Sequence, residues 1–215
     1  MTQAINKPKN KSVTFSEFIE WYPNNGIRYE LRKGVIVEMP PPTGEHENVI
    51  GFLAEKITIE YVRLGLPYRI PKTGLVKTPD NDSTYSPDIL LVNHDNLVNE
   101  PLWKKQSTLI QAASIPLVVE VVSTNWRDDY HDKFGDYVRV ASRREEMGIP
   151  EYWIVDYAAF GGKRFLGDPK QQTITICELV DGEYQTTQFR GNSPILSPLF
   201  PDLNLTAQQI FDSAM

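Results

Sequence analysis

The 215-residue sequence contains a single cysteine, Cys177, which excludes an internal disulfide and any multi-cysteine metal site. No apolar run approaches the ~20 residues that a membrane helix needs. The opening MTQAINKPKNKSV lacks the apolar centre of a signal peptide and reads as a short flexible lead, residues 1–13, ahead of one domain over 14–215. Repeats, low-complexity tracts and linkers are absent. Basic charge is also scarce: the net charge of −6 argues against a protein that coats nucleic acid nonspecifically. A nuclease is not excluded, because its basic groups need only be local. The three lysines of the lead and the set Arg63, Arg69, Lys72 and Lys77 are candidates for such a patch, and read equally well as scattered solvated side chains. With 40% hydrophobic, 23% charged and 11% aromatic residues, the composition is that of an ordinary cytoplasmic globular protein.

Periodicity gives the frame. Thr14-Phe-Ser-Glu17 is a capping box opening a short helix through Trp21. RYELRKGVIVEM alternates around Lys33-Gly34, which predicts a hairpin, and Pro40-Pro-Pro then breaks the chain. From Glu45 to Leu64, His46, Val49, Ile50, Leu53, Ile57 and Tyr61 fall at helical spacing, with Gly65 as the stop. Strands are expected near 67–70, 73–78 and 85–92, then a polar loop over 93–114 holding a short helical turn. PLVVEVVS and EYWIVDY read as buried strands, and the segment from Trp126 to about Met147 as a helix with Phe134, Tyr137, Val138 and Ala141 on one side. After Gly161-Gly162, the runs KRFLG, QTITICELVDG and EYQTTQFRG predict an antiparallel meander, and Thr206 opens a final short helix. The sum is a mixed α/β domain.

Within this frame two carboxylates are out of place. In PLVVEVVS, Glu120 shares a strand face with Val118 and Val122. Burying an ionised carboxylate without a partner costs several kcal/mol, so Glu120 must meet an arginine, a lysine or a metal. Asp88 sits after Pro87 at the mouth of the apolar run ILLV. Two carboxylates on neighbouring strands suit a hard divalent ion such as Mg²⁺, which takes one or two carboxylates plus phosphate oxygens. The structural alternative is a strand-end turn aspartate and a glutamate paired with a core arginine. Lys133, in the following helix, could stabilise charge on a phosphate or position a water, or simply balance Asp129 and Asp132 at the surface. His46, near a helix N-terminus that favours its neutral form, could meet a water or phosphate or cap the helix. His94 and His131 read as solvated, and Trp153, Tyr152, Ile154 and Cys177 as core. Ser123 reads as a helix cap, because no nucleophile-elbow glycines surround it.

YELRKG, His46 opening a helix, SPDILLV, PLVVEVVS, a helix carrying Asp132-Lys133 and then Tyr137, and GIPEYWIVD together resemble the Uma2 family (DUF820), abundant in cyanobacteria and similar to restriction-endonuclease-like, PD-(D/E)XK nucleases. The resemblance runs from about Phe15 to Phe211. It implies a central mixed sheet flanked by helices, with a Mg²⁺ or Mn²⁺ site where the sheet splits. Asp88 matches the PD aspartate and Glu120 the acidic residue of the second half-motif. The superfamily lysine would fall at Val122; the resemblance implies that Lys133 stands in for it, with Glu30 and His46 near the site. It also implies a shorter connection than RVASRREEM after Tyr137-Val138; an excess of about seven residues is close to two helical turns and need not rotate the helix ends.

Three functions remain in play. The first is a metal-dependent endonuclease, a hydrolase of DNA phosphodiester bonds, with metal on Asp88 and Glu120, Lys133 stabilising charge and Glu30 orienting a second ion or the attacking water. A homodimer suits the cutting of both strands. The second is a catalytically inactive binding protein that retains the fold, which the displaced lysine and acidic charge would fit. The third is a glycosidase using Asp88 and Glu120 as acid and base, which leaves Lys133 unexplained.

Overall fold

The predicted capping box at Thr14 forms, and the helix expected after Thr206 opens with one as well. The Thr14 side chain accepts from the Glu17 backbone N–H and Glu17 reaches back, opening helix α1, Phe15–Trp21; Thr206 and Gln209 repeat the motif at the C-terminal helix Ala207–Asp212. The computed structural model describes residues 12–79, 83–135 and 148–215. The predicted hairpin is strands β1, Tyr29–Arg32, and β2, Val35–Glu38, joined by Lys33 and Gly34 at φ +47° and +75°. Two successive positive φ angles are what a tight two-residue hairpin needs. Gly34 meets a second demand, since a Cβ there would collide with the Ser12 side chain. Helix α2 covers Gly44–Arg63 and buries Val49, Leu53, Ile57 and Tyr61, each four residues from the last; His46 shares that face.

Two sheets follow. The first has the order β11, β10, β9, β8, β6, β3 and contains β3 (Tyr68–Arg69), β6 (Ile89–Asn93), β8 (Leu117–Val121), β9 (Glu151–Asp156), β10 (Thr173–Val180) and β11 (Glu183–Phe189). Strand β8 is parallel to β9 and antiparallel to β6, so the sheet is mixed. The second, in the order β2, β1, β5, β4, β7, adds β4 (Leu75–Lys77), β5 (Thr84–Tyr85) and β7 (Thr108–Leu109). All five residues of β8 are buried. Leu117, Val119 and Val121 pack with Val49, Leu53 and Ile57 of α2, whereas Val118 and Val122 pack with Val76, Tyr85 and Leu109 on the other side. The strand that carries Glu120 is therefore covered on both faces, which is why its sequence is almost uniformly aliphatic.

Three expectations need correction. The strand expected over 85–92 is two strands in different sheets: β5 ends at Tyr85, β6 begins at Ile89, and Ser86-Pro87-Asp88 is the crossover. Pro87 has no N–H for a ladder, and its ring restricts Ser86. KRFLG is not a strand but a helical turn, Lys163–Leu166, between Gly162 and Gly167. Its consecutive Phe165 and Leu166 both pack into the core on Tyr130's side, which strand alternation cannot do. The loop over 93–114 holds two 3₁₀ turns, a helical turn Trp103–Gln106 and β7, a strand too short to leave a periodic signal. Among the described residues no helix is long and apolar enough to cross a membrane. The excess that the resemblance implies after Tyr137-Val138, the inward face of Tyr137, Val138 and Ala141, and the lysines of the lead fall outside the described residues.

Candidate metal centre

Ile89 pairs with Val119 in the β6–β8 ladder, so the next position along that register sets Asp88 against Glu120. Here β6 peels away toward the second sheet, and the unpaired backbone of β8 is met by side chains instead. The Val121 N–H donates to Asp88 Oδ2 at 2.8 Å, and His46 Nε2 lies 2.9 Å from the Val121 carbonyl oxygen. An oxygen acceptor at that distance requires the proton on Nε2, which also lies 3.5 Å from Asp88 Oδ2. Asp88 and His46 thus hold one another through a single residue of β8. Neither Asp88 Oδ1 nor His46 Nδ1 has a hydrogen-bond partner among the described residues.

Glu120 points to the face of β8 that carries Val118 and Val122, and there it meets Lys133. Lys133 Nζ donates to Glu120 Oε2 at 2.8 Å and also lies 3.3 Å from Asp129 Oδ1 and 3.8 Å from Glu30 Oε1. The opposite oxygen of Glu120, Oε1, is buried without a hydrogen-bond partner. Glu30, fully buried on β1, has both oxygens engaged: Arg32 donates to Oε2 at 2.9 and 2.7 Å, and the Ser86 N–H donates to Oε1 at 3.0 Å. The lysine reaches this place because Trp126–Gly135 is helical, and its Asp128–Lys133 segment is one turn of π-helix. Such widened turns are rare and concentrate at functional sites. The apolar neighbours Tyr130 and Phe134 pack into the core on this side of the sheet, as inward packing at that end of the helix requires.

The charges follow from this packing. Burial by itself would depress Lys133, but Glu120, Glu30, Asp129 and Asp88 hold it well above the ordinary lysine range, so it is a cation at neutral pH. Burial raises Glu120, and Asp88, Asp129 and Glu30 add to the rise against the pull of Lys133. Burial also acts to raise Asp88, yet its bonds to His46 and the Val121 N–H, with the charge of Lys133, bring it below the usual value. For His46, burial favours the neutral form but Asp88 and the Val121 carbonyl outweigh it, and the net shift is upward. The helix N-terminus does not win here, contrary to the expectation from sequence. Around one site stand four carboxylates (Glu30, Asp88, Glu120, Asp129) and two permanent cations (Arg32, Lys133). The named groups carry an excess of negative charge.

A cleft of about 220 Å³ opens onto this cluster, walled by Arg28, the Pro40–Pro42 segment, His46, Asp88, Asp129 and Lys133. Glu120 does not reach its wall. The five residues singled out in the sequence, Glu30, His46, Asp88, Glu120 and Lys133, are all brought together. Two further members of the cluster escape the sequence reading: Arg32, which clamps Glu30, and Asp129, a surface counter-charge by its sequence context but only 5% exposed. The i, i+4 spacing of Asp129 and Lys133 was the available signal. The cation for Glu120 is a lysine and not a core arginine. Ser123, expected to cap a helix, has its hydroxyl against Asn125 Oδ1. His94 is well exposed beside Asp95, and the side chain of His131 lies outside the described residues. Arg63 pairs with Glu60 and Asp202 at the far end of α2, Lys77 donates to the Thr78 carbonyl, and neither lines the cleft. Among the described residues no group of three or more His, Cys, Asp or Glu side chains is arranged to hold a metal by itself.

The family model described as "Uma2: Putative restriction endonuclease" matches residues 15–208. A solved structure, "Crystal structure of a putative nuclease belonging to DUF820" from Anabaena variabilis, superposes with a TM-score of 0.67 at 16% identity. The match covers 94% of this chain and 99% of that one. At that identity the likeness speaks to the fold. No curated protein matches the sequence. The chain belongs to the Uma2 family.

Proposed function

We propose that this Uma2-family chain is a divalent-metal-dependent endonuclease that hydrolyses DNA phosphodiester bonds, with the metal held by Asp88 and Glu120. The family's description as a restriction endonuclease supports the nucleic-acid substrate class. The observation that carries the reading is a division of labour within each carboxylate. Asp88 commits Oδ2 to Val121 and His46 and leaves Oδ1 open; Glu120 commits Oε2 to Lys133 and leaves Oε1 buried and unpartnered. A buried carboxylate oxygen without a donor is costly, and the excess negative charge around it fits a hard dication. Two carboxylates, completed by water and substrate phosphate, are a usual Mg²⁺ donor set, so the shortage of further protein ligands is consistent with the proposal.

Magnesium or manganese bound there would supply an activated water and a polarised phosphate oxygen. The chain's own groups do the rest. His46 Nε2 and the Val121 N–H fix the rotation of the Asp88 carboxylate. Lys133 keeps Glu120 in place in the resting state and, on the cleft wall, offers the cation that balances charge developing on the phosphate. Both Glu30 oxygens are engaged, Oε2 by Arg32 and Oε1 by the Ser86 N–H, so that the carboxylate flanks Lys133 and serves as a positioning residue. The test is nicking of supercoiled plasmid in Mg²⁺ or Mn²⁺, against chelator, for the wild type and Asp88→Asn. Cleavage that needs the metal and disappears in Asp88→Asn supports the reading. A folded wild type that never cleaves plasmid or single strands under either metal, and binds neither, leaves a binding protein on a nuclease fold.

A further inference from the structure

Beside the metal-site cleft lies a second, larger hollow of about 480 Å³, and one residue, Arg28, lines both. The two also share the crossover: Ser86 lies on the wall of the hollow, and Asp88, two residues on, lies on the wall of the cleft. Tyr22 and Lys105 complete the features of the hollow that bear on its chemistry. Its size is in the range of small-molecule sites.

The Arg28 side chain is half-buried and makes no hydrogen bond or ion pair among the described residues, although acidic residues outnumber basic ones by 28 to 22 in this chain. Its backbone is fixed, with the carbonyl accepting from the Met39 N–H at 2.9 Å as a continuation of the β1–β2 hairpin. A half-buried guanidinium without an acceptor is an unmet demand for an anion. Lys105, also on the wall of the hollow, is exposed and likewise unpaired among the described residues. Tyr22 supplies an aromatic wall held by its neighbours, its hydroxyl accepting from the Tyr29 N–H at 3.1 Å.

We propose that this hollow is a nucleotide subsite, taking the unit of the DNA strand next to the scissile phosphate. It rests on the reading of the neighbouring cleft as a nuclease site. Arg28 grips the phosphate between the two positions with its planar fork, Lys105 faces the backbone at the outer rim, and the Tyr22 ring meets the face of the base. The acidic cluster alone would repel a polyanion. Arg28 gives the strand its cationic entry to that cluster.

The experiment is fluorescence anisotropy of a short labelled single-stranded DNA, titrated in Ca²⁺ at several salt concentrations, with wild type, Arg28→Ala, Arg28→Lys and Lys105→Glu. Arg28→Ala is expected to weaken binding about tenfold, the worth of one charged hydrogen-bonding group. Losing one phosphate contact should also lower the slope of log affinity against log salt by about 0.7. Arg28→Lys keeps the slope but not the full affinity. Lys105→Glu, at an exposed position where folding is undisturbed, weakens binding as well. Wild-type affinity and slope in both Arg28→Ala and Lys105→Glu would overturn the subsite, as would a wild type that does not bind the DNA. Metal binding by calorimetry separates the two readings, because Arg28 contacts neither Asp88 nor Glu120. Loss of the subsite result with Mn²⁺ binding intact refutes this inference alone; absent Mn²⁺ binding refutes the metal site, whatever Arg28 does.

Discussion

Lys133 Nζ lies 2.8 Å from Glu120 Oε2, with both side chains at most 5% exposed. A lysine and a glutamate thirteen residues apart meet because β8 fixes one and the helical segment after it swings the other back over the sheet face. Breaking such a buried pair from one side leaves an uncompensated charge. Lys133→Met should therefore lower stability at pH 7 by about 3–5 kcal/mol in urea unfolding. The loss should shrink toward pH 4, because burial raises Glu120 and it then takes up a proton. Adding Glu120→Gln should recover most of it. Equal stability of Lys133→Met and wild type at pH 7 would mean the pair does not exist in solution.

The clamp on Glu30 gives a second prediction. Arg32 reaches one oxygen of Glu30 from Nε and from a terminal nitrogen, a fork that an ammonium cannot reproduce. Arg32→Lys should cost about 1–3 kcal/mol despite its unchanged charge. An unfolding midpoint that does not move would count against the clamp.

In the proposed site His46 orients Asp88, whose Oδ2 lies 3.5 Å from its Nε2. Replacing it by glutamine removes one of the two groups that fix the Asp88 carboxylate, and loss of such an orienting partner typically costs 10–100-fold in metal affinity. Mn²⁺ calorimetry on His46→Gln should show that loss with the thermal midpoint little changed. Unaltered affinity would remove His46 from the site.

Far from the site, Glu151 offers a clean pH test. It is buried at the start of β9; Trp153 Nε1 donates to Oε1 at 2.6 Å and the Leu199 N–H to Oε2 at 3.1 Å. Burial raises its pKa, more than these donors and the Ser197 hydroxyl lower it. The folded chain therefore holds this proton more tightly than the unfolded chain. Its contribution to stability is complete below the ordinary glutamate range near pH 4 and is lost as pH rises through the raised value. Wild type should lose stability relative to Glu151→Gln between pH 4 and pH 7. Parallel curves would contradict the shift.

What the sequence disclosed were features with a local signature. The four-residue spacing of Val49, Leu53, Ile57 and Tyr61 implied α2 and the side that His46 would share. Lys33-Gly34 implied its hairpin, and Glu120 in an aliphatic run implied a buried cation. What stayed hidden depended on long-range geometry. Pro87 hid a change of sheet inside what read as one strand, and β7, two residues long, left no period to detect. Asp129 looked solvated because nothing near it in sequence shows that Lys133 and the sheet enclose it. The sequence near His46 shows only its helix terminus, whereas Asp88, forty-two residues away, sets the direction of its shift.

The central claim, that Asp88 and Glu120 hold a divalent ion, is tested most directly by titrating Mn²⁺ calorimetrically into wild type, Asp88→Asn and Glu120→Gln, with and without a short DNA duplex in Ca²⁺-free buffer. The account predicts binding in the wild type, strengthened by the duplex because phosphate oxygens complete the ligand set, and its loss in both variants. A wild type that takes up no Mn²⁺ even with DNA present, or variants that bind it as well as the wild type, would contradict the account.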